Sequence, residues 1–75
     1  MTELEIYERM DAERTARGLS ATDYSRKTYH SPFYWKNLGQ RLKRGEGCTL
    51  KTLCDFLEPL DMEIIVRKIT KHRKD

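Results

Sequence analysis

From Tyr24 to Gly45 the chain carries Arg26, Lys27, Lys36, Arg41, Lys43 and Arg44 and not one acid. The same stretch holds Asn37, Gln40 and five of the seven aromatics: Tyr24, Tyr29, Phe33, Tyr34 and Trp35. These side chains have a shared chemistry. Carboxamides can bond the N6/N7 edge of adenine in bidentate fashion, a lysine can donate to guanine O6/N7, and an exposed phenyl can pack on a thymine methyl. Guanidinium and ammonium groups neutralise phosphates and fix register without reading sequence.

Other chemistries find less support. His30 and His72 stand 42 residues apart, and Glu58, Asp61 and Glu63 have no partner cluster for acid–base work. Cys48 and Cys54 form no CxxC pair and have no histidine at ligand spacing, so they read as reduced thiols. No enzyme activity, metal or cofactor is expected.

The 75 residues, with 36% charged and 37% hydrophobic side chains, suit one soluble domain with a small core, which often gains stability by dimerising. The formal net charge of +3 is mild, but it is unevenly laid out. Residues 1–23 balance to −3, 24–45 to +6, 46–66 to −4 and 67–75 to +4. Such a molecule presents one basic side to a polyanion. Thr2-Glu3-Leu4-Glu5 is too acidic for a signal peptide, and Ile64-Ile65-Val66 is far too short for a span, so a cytoplasmic location is expected.

The elements that must position these groups follow from caps and periodicity. Glu3 to Arg17 reads as a helix with Ile6, Tyr7 and Met10 on its apolar side, closed by Gly18 as a left-handed cap. Ser20-Ala21-Thr22-Asp23 has the form of a capping box that opens a short second helix, from about Ala21 to Thr28. Ser31 as N-cap and Pro32 at the first position predict a third helix over residues 32–44, with Trp35, Leu38 and Leu42 inward. Phe33, Asn37, Gln40 and Arg44 then fall on its outer side, flanked by Lys36 and Arg41. Thr49 caps a fourth helix whose stripe is Leu50, Leu53, Cys54 and Leu57, stopped at Pro59. Residues 61–69 alternate as a short strand with no partner in the chain. Residues 1–69 thus make one domain, and 70–75, with Lys71, Arg73 and Lys74, a basic tail.

Two short helices, the second with polar, basic and aromatic groups outward, have a helix-turn-helix layout. The chain resembles the Cro/repressor (Xre-type), lambda-repressor-like family of phage and bacterial DNA-binding domains over roughly Ile6 to Leu60. The matching residues are Arg14-x-x-x-Gly18-Leu19-Ser20, Tyr24 with the small Ser25, His30-Ser31, Trp35 and Leu38, and Thr49-Leu50-Lys51-Thr52-Leu53. Leu57 to Arg67 looks like the end of antitoxin-type members, in which a terminal strand pairs with its twin across a two-fold axis. The chain departs from the family at Tyr29, where the motif's turn usually has glycine, so a reshaped or lengthened turn is expected. Its third helix is also about a turn longer, which displaces the loop into the fourth.

The resemblance implies a mainly α fold of four to five helices with a short C-terminal strand, and a homodimeric, sequence-specific regulator of double-stranded DNA, a repressor of phage, mobile-element or antitoxin type. Base contacts would come from Ser31, Phe33, Lys36, Asn37 and Gln40. Phosphate contacts would come from Arg26, Lys27, Ser31, Arg41, Lys43 and Arg44, and dimerisation from Met62, Ile64, Ile65 and Val66. His30 either touches phosphate or sits exposed in the turn. Tyr29 and Tyr34 either bond phosphates or pack on the first or fourth helix. The alternative is a protein-interaction module, an antitoxin or adaptor that covers a toxin or other partner with the same fold.

Overall fold

The computed structural model of the chain describes residues 2–65. They form α1 (Glu3–Ala16), α2 (Ala21–Lys27), α3 (Tyr34–Lys43) and α4 (Leu50–Leu57), followed by a 3-10 turn, Glu58–Leu60. The mainly helical class is as expected. Among the described residues there is no strand: 62–65 lie outside any regular element, and Val66 and the tail fall outside the described residues. A strand needs a ladder partner for its backbone groups, and a single copy of this chain offers none.

Local signals explain most helix boundaries. Thr2 Oγ1 accepts from the Glu5 N–H at 3.1 Å while the Thr2 N–H donates to the Glu5 carboxylate at 2.7 Å, a complete capping box that opens α1. Ser20 Oγ accepts from the Asp23 N–H at 3.1 Å, and Thr49 Oγ1 from the Thr52 N–H at 3.2 Å.

The start of α3 corrects the sequence reading. Its first residue is Tyr34, not Pro32, and its N-cap is Phe33, which makes no side-chain cap bond. The Tyr34 N–H donates to the Ser31 carbonyl at 3.0 Å, and Phe33 has φ −102° and ψ 7°. Pro32 therefore occupies the second position of a β-turn, whose φ suits proline as well as a helix start does. The same Ser-Pro signal fits both, and the turn prevails here because the cap of α3 comes from elsewhere, as shown below.

The helices α1, α2 and α3, and the 3-10 turn that follows α4, end in one geometry. Gly18 (φ +70°), Tyr29 (φ +64°), Gly45 (φ +87°) and Asp61 (φ +55°) each stand in the left-handed region. In each case the next residue bonds back five places: Leu19 N–H to Arg14 O, His30 N–H to Ser25 O, Glu46 N–H to Arg41 O, and Met62 N–H to Leu57 O, the Schellman pattern. Tyr29 thus keeps the tight glycine-type turn instead of reshaping or lengthening it. Its side chain is 97% exposed, so no packing offsets the backbone cost. Tyr29→Gly is expected to stabilise the fold by about 0.5–1 kcal/mol after the extra unfolded-state entropy of glycine is subtracted. A thermal melt should show a rise of roughly 3–5 °C. An unchanged or lower transition would mean that the turn carries no such cost.

The core gathers Tyr7 and Met10 from α1, Tyr24 from α2, Trp35, Leu38 and Leu42 from α3, and Leu53, Phe56, Leu57 and Leu60 from the C-terminal segment. Trp35, Leu38 and Leu42 face inward as expected. The expected stripe of α4 does so only at Leu53 and Leu57. Leu50 is 64% exposed and Cys54 is exposed, while Leu53, Phe56, Leu57 and Leu60 share the same i, i+3, i+4, i+7 spacing one step on. The larger side chain, Phe56, takes the buried face because it closes an aromatic cluster with Tyr24, Trp35, His30 and Tyr34.

Candidate nucleic-acid interface

Trp35 fixes where α3 points. Its backbone N–H donates to Ser25 Oγ at 3.0 Å, its carbonyl accepts from Tyr7 Oη at 3.1 Å, and its indole N–H donates to Asp11 Oδ1 at 2.8 Å. One residue is thereby tied to α1 twice and to α2 once. Ser25 Oγ in turn donates to the Ala21 carbonyl at 2.9 Å, so this buried hydroxyl is fully used. It supplies from α2 the first-turn cap that the sequence reading assigns to Ser31. Ser31 instead stands exposed in the preceding turn and does not cap α3.

Asp11 Oδ1 also accepts from Arg14 Nε at 2.9 Å, and Arg14 donates onward to the Leu19 carbonyl at 2.7 Å. Partial burial works to raise the Asp11 carboxyl. Hydrogen bonds from Arg14 and Trp35, with the charges of Arg14 and Lys43, outweigh it and hold the group below the usual carboxylate range. Burial likewise pushes the Tyr7 hydroxyl up to about 12, so it stays a neutral donor to Trp35.

With α3 held at its first turn, its outer side presents Lys36, Asn37, Gln40, Arg41, Lys43 and Arg44, all exposed, with Phe33 64% exposed just ahead of them. The structure brings together six of the sequence-predicted contact residues on this helix. Lys36, Asn37 and Gln40 have no side-chain partner among the described residues. Arg26 and Lys27, at the end of α2, have none either. Arg41 and Arg44 do: both pair with Glu46.

The aromatic residues divide. Tyr34 packs on α4, its ring near-parallel to those of His30 (4.0 Å between centroids) and Phe56 (5.7 Å). His30 is half-buried in that stack, with Nε2 buried and without a hydrogen-bond partner, so it is neither exposed nor placed for phosphate. Tyr29 packs on neither the first nor the fourth helix. The sequence reading does not give Asp11, Ser25 or Glu46 the roles they have here. Only Ser25 had a signal, its small size after a buried tyrosine.

Among the described residues no group of three or more His, Cys, Asp or Glu could hold a metal ion, and no helix is long and apolar enough to cross a membrane. Comparison with protein-family models, curated proteins and solved structures returns no match. The helix-turn-helix resemblance therefore rests on the motif residues alone.

Proposed function

We propose that the chain is a sequence-specific, double-stranded DNA-binding regulator of lambda-repressor-like helix-turn-helix type that lays α3 in the major groove. The observation that carries this reading is the outer side of α3: Lys36, Asn37 and Gln40, unpartnered among the described residues, on a helix anchored through three groups of Trp35. Their chemistry matches base edges, and a fixed helix gives base contacts their register. Arg26, Lys27, Arg41, Lys43 and Arg44 supply phosphate anchors around it. Regulation then follows from occupancy of a promoter.

The protein acts as a dimer on two half-sites about one helical turn apart. Its support is the exposed apolar Ile64 and Ile65, which with Met62 line a groove against Ile6 and Met10 of α1. A second copy pairing through residues 61–69 would cover them.

Selection of duplexes from a random pool, followed by anisotropy titration, tests both parts. A palindromic consensus is expected. Asn37→Ala and Gln40→Ala should each lose about 1–3 kcal/mol of discrimination at particular base pairs. Arg26→Ala should weaken all sequences alike. Indifference to the carboxamide substitutions would remove α3 as the reading helix. Failure to enrich any duplex, with a protein partner co-purifying instead, would favour the antitoxin or adaptor alternative.

A further inference from the structure

The first acid after the acid-free block is Glu46, and it lies on the proposed DNA-contacting helix's own arginines. Its Oε2 accepts from Arg44 Nε at 3.0 Å and its Oε1 from Arg41 Nε at 3.4 Å, one oxygen for each guanidinium. The placement is built into the backbone. The Glu46 N–H is bonded to the Arg41 carbonyl at 3.0 Å, and Gly45, at φ +87°, makes the turn that brings it there. The hydrogen bond from Arg44, seconded by Arg41, holds the pKa of this carboxyl below its ordinary value, so the anion is present at neutral pH.

We propose that Glu46 is an internal competitor for DNA: in the free protein its carboxylate fills the anion site between Arg41 and Arg44 that a backbone phosphate takes in the complex. This rests on the DNA-binding reading above. A phosphodiester has the same formal charge and two non-bridging oxygens to offer, so it can replace the carboxylate one for one. The exchange tempers affinity. Two arginines that would attract any polyanion are already neutralised in part, and they transfer to phosphate only where α3 is seated close enough for the exchange. Glu46, once released, draws a cation back from solution, which offsets part of the counterion release.

The test is anisotropy titration of the intact protein with a selected duplex at several salt concentrations, comparing wild type, Glu46→Gln and Glu8→Gln. Glu8 is an exposed acid on α1 and controls for net charge. Glu46→Gln is expected to bind about three- to fivefold tighter at low salt, with a log–log salt slope steeper by about 1. Glu8→Gln should give less than half that gain, and far-UV circular dichroism should show all three folded. Equal or weaker binding by Glu46→Gln, as expected if Glu46 only orients the arginines, would overturn the proposal. An equal gain in Glu8→Gln would do the same. Wild-type protein that binds no duplex would instead overturn the DNA-binding reading itself, and the proposal with it.

Discussion

Phe56→Ala is expected to cost about 4 kcal/mol, a large part of the ~5–15 kcal/mol that holds a domain together. Phe56 is fully buried, and its ring lies 4.9 Å from that of Tyr24, 4.8 Å from Trp35 and 5.3 Å from His30. It is the point at which α4 meets the two helices of the proposed motif. Its carbonyl also accepts the Tyr24 hydroxyl. Removing the phenyl ring leaves a cavity walled by rigid rings, which cannot collapse as readily as flexible aliphatic side chains. Chemical denaturation followed by far-UV circular dichroism measures the loss. Leu50→Ala, on the exposed side of the same helix, should stay within about 0.5 kcal/mol. A cost at Leu50 equal to that at Phe56 would restore the stripe expected from sequence and reject the observed orientation of α4.

Gly39→Ala is the second large effect, and its sign is the informative part. By helix propensity alone the change should stabilise α3 by about 1 kcal/mol. Gly39, however, is buried where α3 crosses α1, and a Cβ there would stand 2.5 Å from Tyr7 Cζ and 2.8 Å from Cε2, against the Tyr7 hydroxyl as well. The ring cannot swing aside cheaply. It stacks on Trp35 at 4.3 Å and its hydroxyl donates to the Trp35 carbonyl. Overpacking of this kind costs about 1–3 kcal/mol or more, so a net destabilisation of about 2 kcal/mol is expected. Pairing Gly39→Ala with Tyr7→Leu in a double-mutant cycle should recover more than about 1 kcal/mol of it as coupling. A melting temperature raised by Gly39→Ala would show that the helices separate without cost.

These residues mark where the sequence was legible and where it was not. The left-handed ends at Gly18 and Gly45, the caps at Ser20 and Thr49, and the inward row Trp35, Leu38 and Leu42 could all be read from neighbouring residues. Each is a local balance of backbone conformation or periodicity, decided within a turn or two of chain. The Thr2–Glu5 capping box was equally local and was passed over. The face of α4 was not legible. Eight residues with Leu50, Leu53, Cys54, Phe56 and Leu57 admit two stripes, and periodicity cannot choose between them. Ser31-Pro32 was ambiguous in the same way, because proline's fixed φ serves a helix start and a β-turn alike.

The proposed interface divides along the same line. The acid-free basic block and the outward position of Lys36, Asn37 and Gln40 follow from residue order and a period of 3.6. That Arg41 and Arg44 share Glu46, that Ser25 caps α3, and that Asp11 and Tyr7 hold Trp35 from another helix do not. By itself the sequence determined a mainly helical chain, where most of its helices turn, and which side chains the third would show to solvent. Only the tertiary structure decided which face of α4 is buried, what anchors α3, and which cations already have an anion. The physical reason is range. Caps and periodicity are set by interactions a few residues apart, whereas these choices depend on groups 10 to 32 positions away, whose meeting is fixed by packing the aromatic core, or, for Glu46, on a turn geometry that only the finished helix end creates.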